Sequence, residues 1–399
     1  MRTEPSTSIP AAEFADRRDR LLEHVRGDGL SGYVLFEPAY IQYFTGFWFL
    51  SNERPIVYAQ SASGDDLIFV PEFEVERTRA EAAFDRIESY PEYPGREQPM
   101  QVLAGVVADL GLAGSIAVDD DGYPGILGYE GPPLSEVTGA DVTSVTDVVE
   151  HMIARKSDNE IALIRESARW CAHAHHLLQD YTRPGATEAE VSLRAASEAT
   201  LAMLDELGGS VHGLLGSGDG VKAGYRGQIG LRSSWAHAVA HNIEFQAGDV
   251  LVSETGAPVA GYNAELERAM VIGTPTEDMR RLFDHMVAAQ QVAFDALRPG
   301  VTCADVDTAV LAYFEENGLF AHWRQHTGHA IGLRNHEAPF LDVGDATPVE
   351  PGMVFTIEPG LYDPEIGGFR HSDTVAVTED GIDILTDYPR DLESLTLPV

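Results

Sequence analysis

The chain has 399 residues, enough for two or three domains with ample core, and its hydrophobic fraction of 44% is ordinary for a globular protein. Its charge is not: 64 Asp and Glu stand against 27 Lys and Arg, a formal net charge of -37 spread along the chain rather than gathered in a tail. That load argues against nucleic acid or an anionic membrane as partner, and it predicts a solvated acidic surface whose self-repulsion is screened in a salt-rich, halophilic cytoplasm.

In the first 150 or so residues short apolar runs alternate with helical patterns. "GYVLF" (32–36), "DLIFV" (66–70) and "SIAVD" (115–119) read as strands, and "AAEFADRRDRLLEHVRG" and "QPMQVLAGVVADLG" read as amphipathic helices ending at Gly. The alternation predicts an α/β N-terminal domain over 1–155. The opening residues lack a signal-peptide core, and no apolar run approaches the roughly 18 residues that span a bilayer. With only Cys171 and Cys303, and no Cys-x-x-Cys pair, a reducing, cytoplasmic setting is expected.

The pattern changes near 151–160. Ser157 and Glu160 have capping-box spacing ahead of a long helix through Tyr181, and "TEAE" repeats that signature for a helix at about 187–207. Strands follow at 249–256 and 264–273, helices at about 276–297 and 303–317, and then strand-rich sequence: "GHAIGL", "GMVFTIEPGLY" and "DTVAVTEDGIDILT". Helix runs followed by strand runs predict an α+β C-terminal domain over 156–399. The run "HAHH" (173–176) resembles a metal cluster, but on a helix only His173 and His176 share a face, so it reads as structural or solvated.

Five segments of this second half place polar residues where a strand pattern demands burial. They carry Glu254 in "VSETG", Glu265 and Glu267 in "GYNAELERAM", His329 and His336 in "HTGHAIGLRNHEAP", Glu358 in "FTIEPG", and Ser372 in "FRHSDT". His237 and His241 in "WAHAVAHN" can join them. Strand side chains alternate faces, so Glu265 and Glu267 point the same way, and Arg268 points the other. Two acids on one buried face need a metal, a cation or a proton to relieve them.

These motifs, in this order and at about this spacing, resemble the pita-bread superfamily of methionine aminopeptidase, Xaa-Pro peptidases and creatinase; the N-terminal part resembles the smaller domain of its prolidase and creatinase branch. The resemblance implies that the five metal-binding positions of the metallopeptidases fall on Glu254, Glu265, His329, Glu358 and Ser372. Three depart from the family's Asp, Asp, His, Glu, Glu set: two aspartates are longer by a methylene, and the bridging glutamate is serine, which cannot replace a carboxylate for a hard dication. Glu267 and His237 match creatinase positions that act in catalysis. Arg54, in "TGFWFLSNERP", matches its substrate-carboxylate arginine, which reaches into the neighbouring subunit and so implies a homodimer.

The reading that follows is a metal-independent, cofactor-free C–N hydrolase of a small zwitterionic amidine or guanidine, with ectoine ring opening favoured over creatine. Four buried carboxylates would pair with the substrate's cation. Glu265, Glu267, His237, His329 and Glu358 are expected to be catalytic, and Glu254, His336, Arg54, Tyr262 and Arg370 to bind substrate. Two alternatives remain open: a Xaa-Pro dipeptidase or aminopeptidase with an altered metal site, and a non-catalytic binding module on the same fold.

Overall fold

The structure, a computed structural model, describes residues 8–82, 84, 86–124, 128–208 and 220–399. Ile9–Ile153 form one compact unit, and Ala154–Val399 belong to a second. In the first unit the strands are β1 (Gly32–Leu35), β2 (Val57–Ser61), β3 (Asp66–Pro71), β4 (Ile87–Tyr90), β5 (Ser115–Val118) and β6 (Asp141–Ser144), ordered β4-β3-β2-β1-β5-β6. The sheet is mixed, with β1 antiparallel to β2 and parallel to β5. Its apolar runs are buried because Val34, Phe36, Leu67, Phe69, Ile116 and Val118 join Leu103 and Val107 of the helix Pro99–Asp109 in one core. The strands and helices expected here all form, and the α/β class holds.

The second unit wraps four long helices, Asp158–Tyr181, Glu188–Leu207, Glu277–Ala296 and Cys303–Glu316, around a sheet. The predicted capping box forms: Ser157 Oγ accepts from Glu160 N, while Glu160 returns a carboxylate oxygen to Ser157 N. Thr187 caps its helix in the same sense by accepting from Glu190 N. "HAHH" lies on the first of these helices, where His175 is buried and meets Ser253 Oγ at 2.5 Å through Nε2, a structural role as expected.

The strands are β7 (Lys222–Gly224), β8 (Val250–Gly256), β9 (Glu265–Ile272), β10 (Gly328–Ala330), β11 (Glu337–Leu341), β12 (Val354–Ile357), β13 (Gly360–Asp363), β14 (Gly367–Arg370), β15 (Ser372–Thr378), β16 (Gly381–Ile384) and β17 (Thr396–Leu397). The main path runs β11-β10-β12-β15-β9-β8-β7, with β16 on β15 and β17 on β9; β13 and β14 pair separately. The α+β class holds. Register then decides which side chains meet: Glu254 on β8 lies opposite Glu267 on β9, and Ser372 on β15 lies opposite Glu267 from the other side. His329 reaches the same face from β10, where the chain runs so close to β12 that a Cβ on Gly328 would sit 2.0 Å from Thr356 O. Among the described residues, no helix is long and apolar enough to cross a membrane.

Candidate active site

One cavity of about 400 Å³ is lined by Glu265, Glu267, His329 and Glu358, together with Arg226, His237, His336, Gln325 and Arg370. Like charges directly opposite on paired strands destabilise a sheet, so Glu254 against Glu267 has to be relieved. Two arginines do this. Arg370, wholly buried, forks onto Glu267: its Nε donates to Oε2 and its second guanidinium nitrogen to Oε1 at 2.6 Å. Arg226 reaches Glu254 Oε2 at 2.5 Å and Glu267 Oε1 at 3.2 Å, bridging both strands. Arg370 is itself held by Tyr362, whose hydroxyl it meets at 3.0 Å, and Tyr362 donates onward to Gln325 at 2.7 Å.

The other end of the cavity is an acid–imidazole cluster. One ligand atom each from Glu265, His329 and Glu358 lie within 4.8 Å of one another. Burial by itself pushes the His329 imidazolium down, but the Glu358 and Glu265 carboxylates outweigh it and raise the ring to about 9. Glu358 shows the reciprocal effect: burial would raise it, yet His329 and Arg370 hold it down at about 2. Glu265 goes the other way. Burial, and then the charges of Glu358 and Glu267, push its carboxyl well above the usual range, and Ser372 Oγ donates to its Oε1 at 2.8 Å. Glu254 is also raised, by burial and then by Glu267. His329 Nε2 faces Glu358 Oε1 at 3.2 Å, an ion pair when the ring is protonated. His336 stacks on His329 with ring centroids 3.8 Å apart, and burial, then the His329 charge, lower its pKa.

Of the residues expected from sequence, Glu265, Glu267, His237, His329, His336, Glu358 and Arg370 line this one cavity, and Glu254 joins it through Arg226. Tyr262 does not line it: its hydroxyl donates to Glu160 Oε1 at 2.8 Å on the helix Asp158–Tyr181. Arg54 lies in the first unit, paired with Glu92 at 2.6 Å and with Glu53. Sequence reading missed Arg226, which stands 39 residues before Glu265 with no motif around it. It also missed His326, which opens the motif "HTGHAIGLRNHEAP", and Trp323 and Gln325 just ahead of it, which extending that motif backwards would have found.

The inference of a cationic substrate rested on four carboxylates lacking counter-charge. Arg226, Arg370 and a protonated His329 supply it from within the chain, which removes that argument. The donor set also tests the family's paired metal ions. Glu265, His329 and Glu358 fit one cation, which would take the place of the proton that His329 holds between the two carboxylates. A second ion does not fit, because the Arg226 guanidinium already lies 2.5 Å from Glu254 Oε2 and would repel it, and residue 372 is a serine bonded to Glu265.

Comparison with known proteins bears on the same question. The pattern of Metallopeptidase family M24 matches residues 162–379, and that of the Creatinase/Prolidase N-terminal domain matches residues 17–152. The crystal structure of dipeptidase PepE from Mycobacterium ulcerans is 28% identical, with 98% of this chain and 100% of that one covered and a TM-score of 0.81. The Xaa-Pro dipeptidase from Bacillus anthracis is 25% identical over 97% of this chain and 100% of its own, with a TM-score of 0.79. By sequence, the Xaa-Pro dipeptidase of Pyrococcus furiosus is 26% identical over 377 residues, 94% of this chain and 99% of that protein. These full-length likenesses to dipeptidases overturn the expected metal-independent hydrolysis of an amidine or guanidine, ectoine included.

Proposed function

Since the chain belongs to metallopeptidase family M24, we propose that it is a dipeptidase with an altered, single-cation centre at Glu265, His329 and Glu358. One observation carries the reading: those three side chains converge in a cavity of about 400 Å³, a size that suits a small substrate. The Xaa-Pro dipeptidases among its relatives support dipeptides with proline in the second position as the first substrates to try.

A divalent cation bound there supplies Lewis-acid polarisation of the scissile carbonyl and a water that is nucleophilic at neutral pH. The remaining work falls to the chain's own groups. Glu265, held in place by a hydrogen bond from Ser372 Oγ at 2.8 Å, would turn its carboxylate toward the cation. Arg370, locked by Glu267, Tyr362 and Gln325, keeps the Glu267 carboxylate neutralised and the cavity wall fixed. His336, stacked over His329 and held neutral at pH 7, offers a hydrogen bond to the peptide. His237, exposed at the cavity rim, is placed to meet a substrate as it enters. The homodimer and the cytoplasmic setting suggested by the sequence belong to this proposal as well.

The test uses purified protein stripped with a chelator and assayed on Xaa-Pro and other dipeptides, before and after Mn²⁺ or Co²⁺ is restored. Cleavage that returns with the metal is the expected result. Failure to cleave any dipeptide with Mn²⁺, Co²⁺ or Zn²⁺ restored would overturn the reading.

A further inference from the structure

Arg226 occupies a backbone position that local preference does not give to arginine. It sits at φ +49 and is followed by Gly227 at φ +74, with Gln228 N donating to Tyr225 O at 2.8 Å. Positive φ at both central residues is the type I′ pattern, which favours Asn, Asp or Gly at the first of them. The turn is clamped from both sides: Gly227 N donates to Glu188 Oε1 at 2.5 Å, and a Cβ at Gly227 would meet Val239 O at 2.1 Å. A side-chain-bearing residue held in this region needs support from its surroundings, and such positions cluster at functional sites.

What the turn accomplishes is to aim one guanidinium between two carboxylates. Arg226 Nε meets Glu254 Oε2 at 2.5 Å, and its terminal nitrogen meets Glu267 Oε1 at 3.2 Å. Its side chain is 42% exposed and lines the cavity, so it enters from the open side rather than belonging to the packed core. A second dication beside Glu265 would need Glu254 as a ligand and would lie against this positive charge. Ser372, whose Oγ donates to Glu265 Oε1 at 2.8 Å, leaves that side short of a further carboxylate.

We propose that Arg226 stands in for a second metal ion, so that the centre takes one divalent cation per chain and excludes another. This rests on the single-cation reading above. The guanidinium carries one delocalised charge, is always ionised and cannot bind water as a nucleophile, so it neutralises Glu254 and Glu267 without adding a Lewis acid.

Metal stoichiometry tests it, with no activity needed. Chelator-treated protein is titrated with Mn²⁺ by calorimetry, and bound metal is counted by mass spectrometry after gel filtration. The wild-type chain should bind one equivalent. Arg226→Ala should admit a second, weaker one, and Arg226→Lys, which keeps the charge, should stay at one. If Arg226→Ala loses its circular dichroism spectrum, Arg226→Gln serves in its place. Two equivalents in the wild-type chain overturn both the role of Arg226 and the single-cation stoichiometry, and one in a folded neutral variant overturns the role of Arg226 alone; dipeptide cleavage is judged separately by the assay above. No binding by the wild-type chain removes the single-cation centre itself, and this inference with it.

Discussion

The two faces of β9 solve the same electrostatic problem in opposite ways. On one face Arg268 is fully buried, and every nitrogen of its guanidinium has a partner: Asp373 Oδ1 at 2.8 Å, and the carbonyls of Ser372, Tyr388, Pro389 and Glu267. Asp373 is in turn held by Gln290 at 2.9 Å and Thr386 at 2.6 Å. The guanidinium is closed in on every side and opens on no cavity among the described residues. On the other face Glu265 and Glu267 join Glu254 and Glu358 in a group whose balance comes from two arginines and a histidine, with pKa values driven apart in both directions. A buried charge network that is fully satisfied holds a fold together. One that opens on a cavity, with carboxyls pushed both up and down, is where chemistry is to be expected.

That contrast can be broken from either side. The largest effect should come from Glu265→Gln, which keeps shape but removes the acid. Dipeptide turnover should fall by ~10²-fold or more, while the urea unfolding midpoint stays within error of wild type. A wild-type rate would show that turnover does not need the Glu265 carboxylate.

Arg268→Met should do the reverse. It strands Asp373 in the interior, and removing one partner of a buried pair costs ~3–5 kcal/mol, measured by equilibrium denaturation. The folded fraction should keep its specific activity. A loss of activity without a loss of stability would show that the two faces are not independent.

The smallest effect is in the pH dependence of stability, where the faces should act at opposite ends. Behind the sheet, burial and then the Arg268 charge hold His175 and His371 well below the ordinary histidine value. Below about pH 6.5 the unfolded chain takes up protons that these rings refuse, so stability falls as pH drops, by up to ~1.4 kcal/mol per pH unit for each ring. In front, His329 is raised to about 9, so its contribution is fully present below about pH 6.5 and is lost as pH climbs toward 9. Urea midpoints across pH 5 to 9 should therefore show two limbs, and His329→Gln should flatten only the alkaline one. His371→Gln should make the acid limb shallower, and an acid limb unchanged in that variant would mean that His371 is not neutral in the folded chain.

Much of this was legible beforehand because it depends on periodicity and local chemistry. Ser157 and Glu160 announced a helix start three residues apart, and their capping bonds form between neighbours in the chain. The motif order from "VSETG" to "FRHSDT" identified the strands that meet at the cavity. Tyr262 misled because it sits inside a motif while its hydroxyl turns to Glu160, a partner 102 residues away. The substrate was misread for a related reason: the acids are clustered in sequence motifs, whereas Arg226, one of the bases that answer them, is not.

By itself, then, the sequence determined that Glu265 and Glu267 share a face, that Arg268 opposes them, and that charged side chains would converge in the second half of the chain. Alternation along a strand allows no other arrangement. Only the tertiary structure decided who neutralises whom. Arg226 meets Glu267 across 41 residues and Arg370 meets it across 103. Pairings of that span depend on strand register and on the reach of a long side chain, and neither leaves a local signal in the sequence.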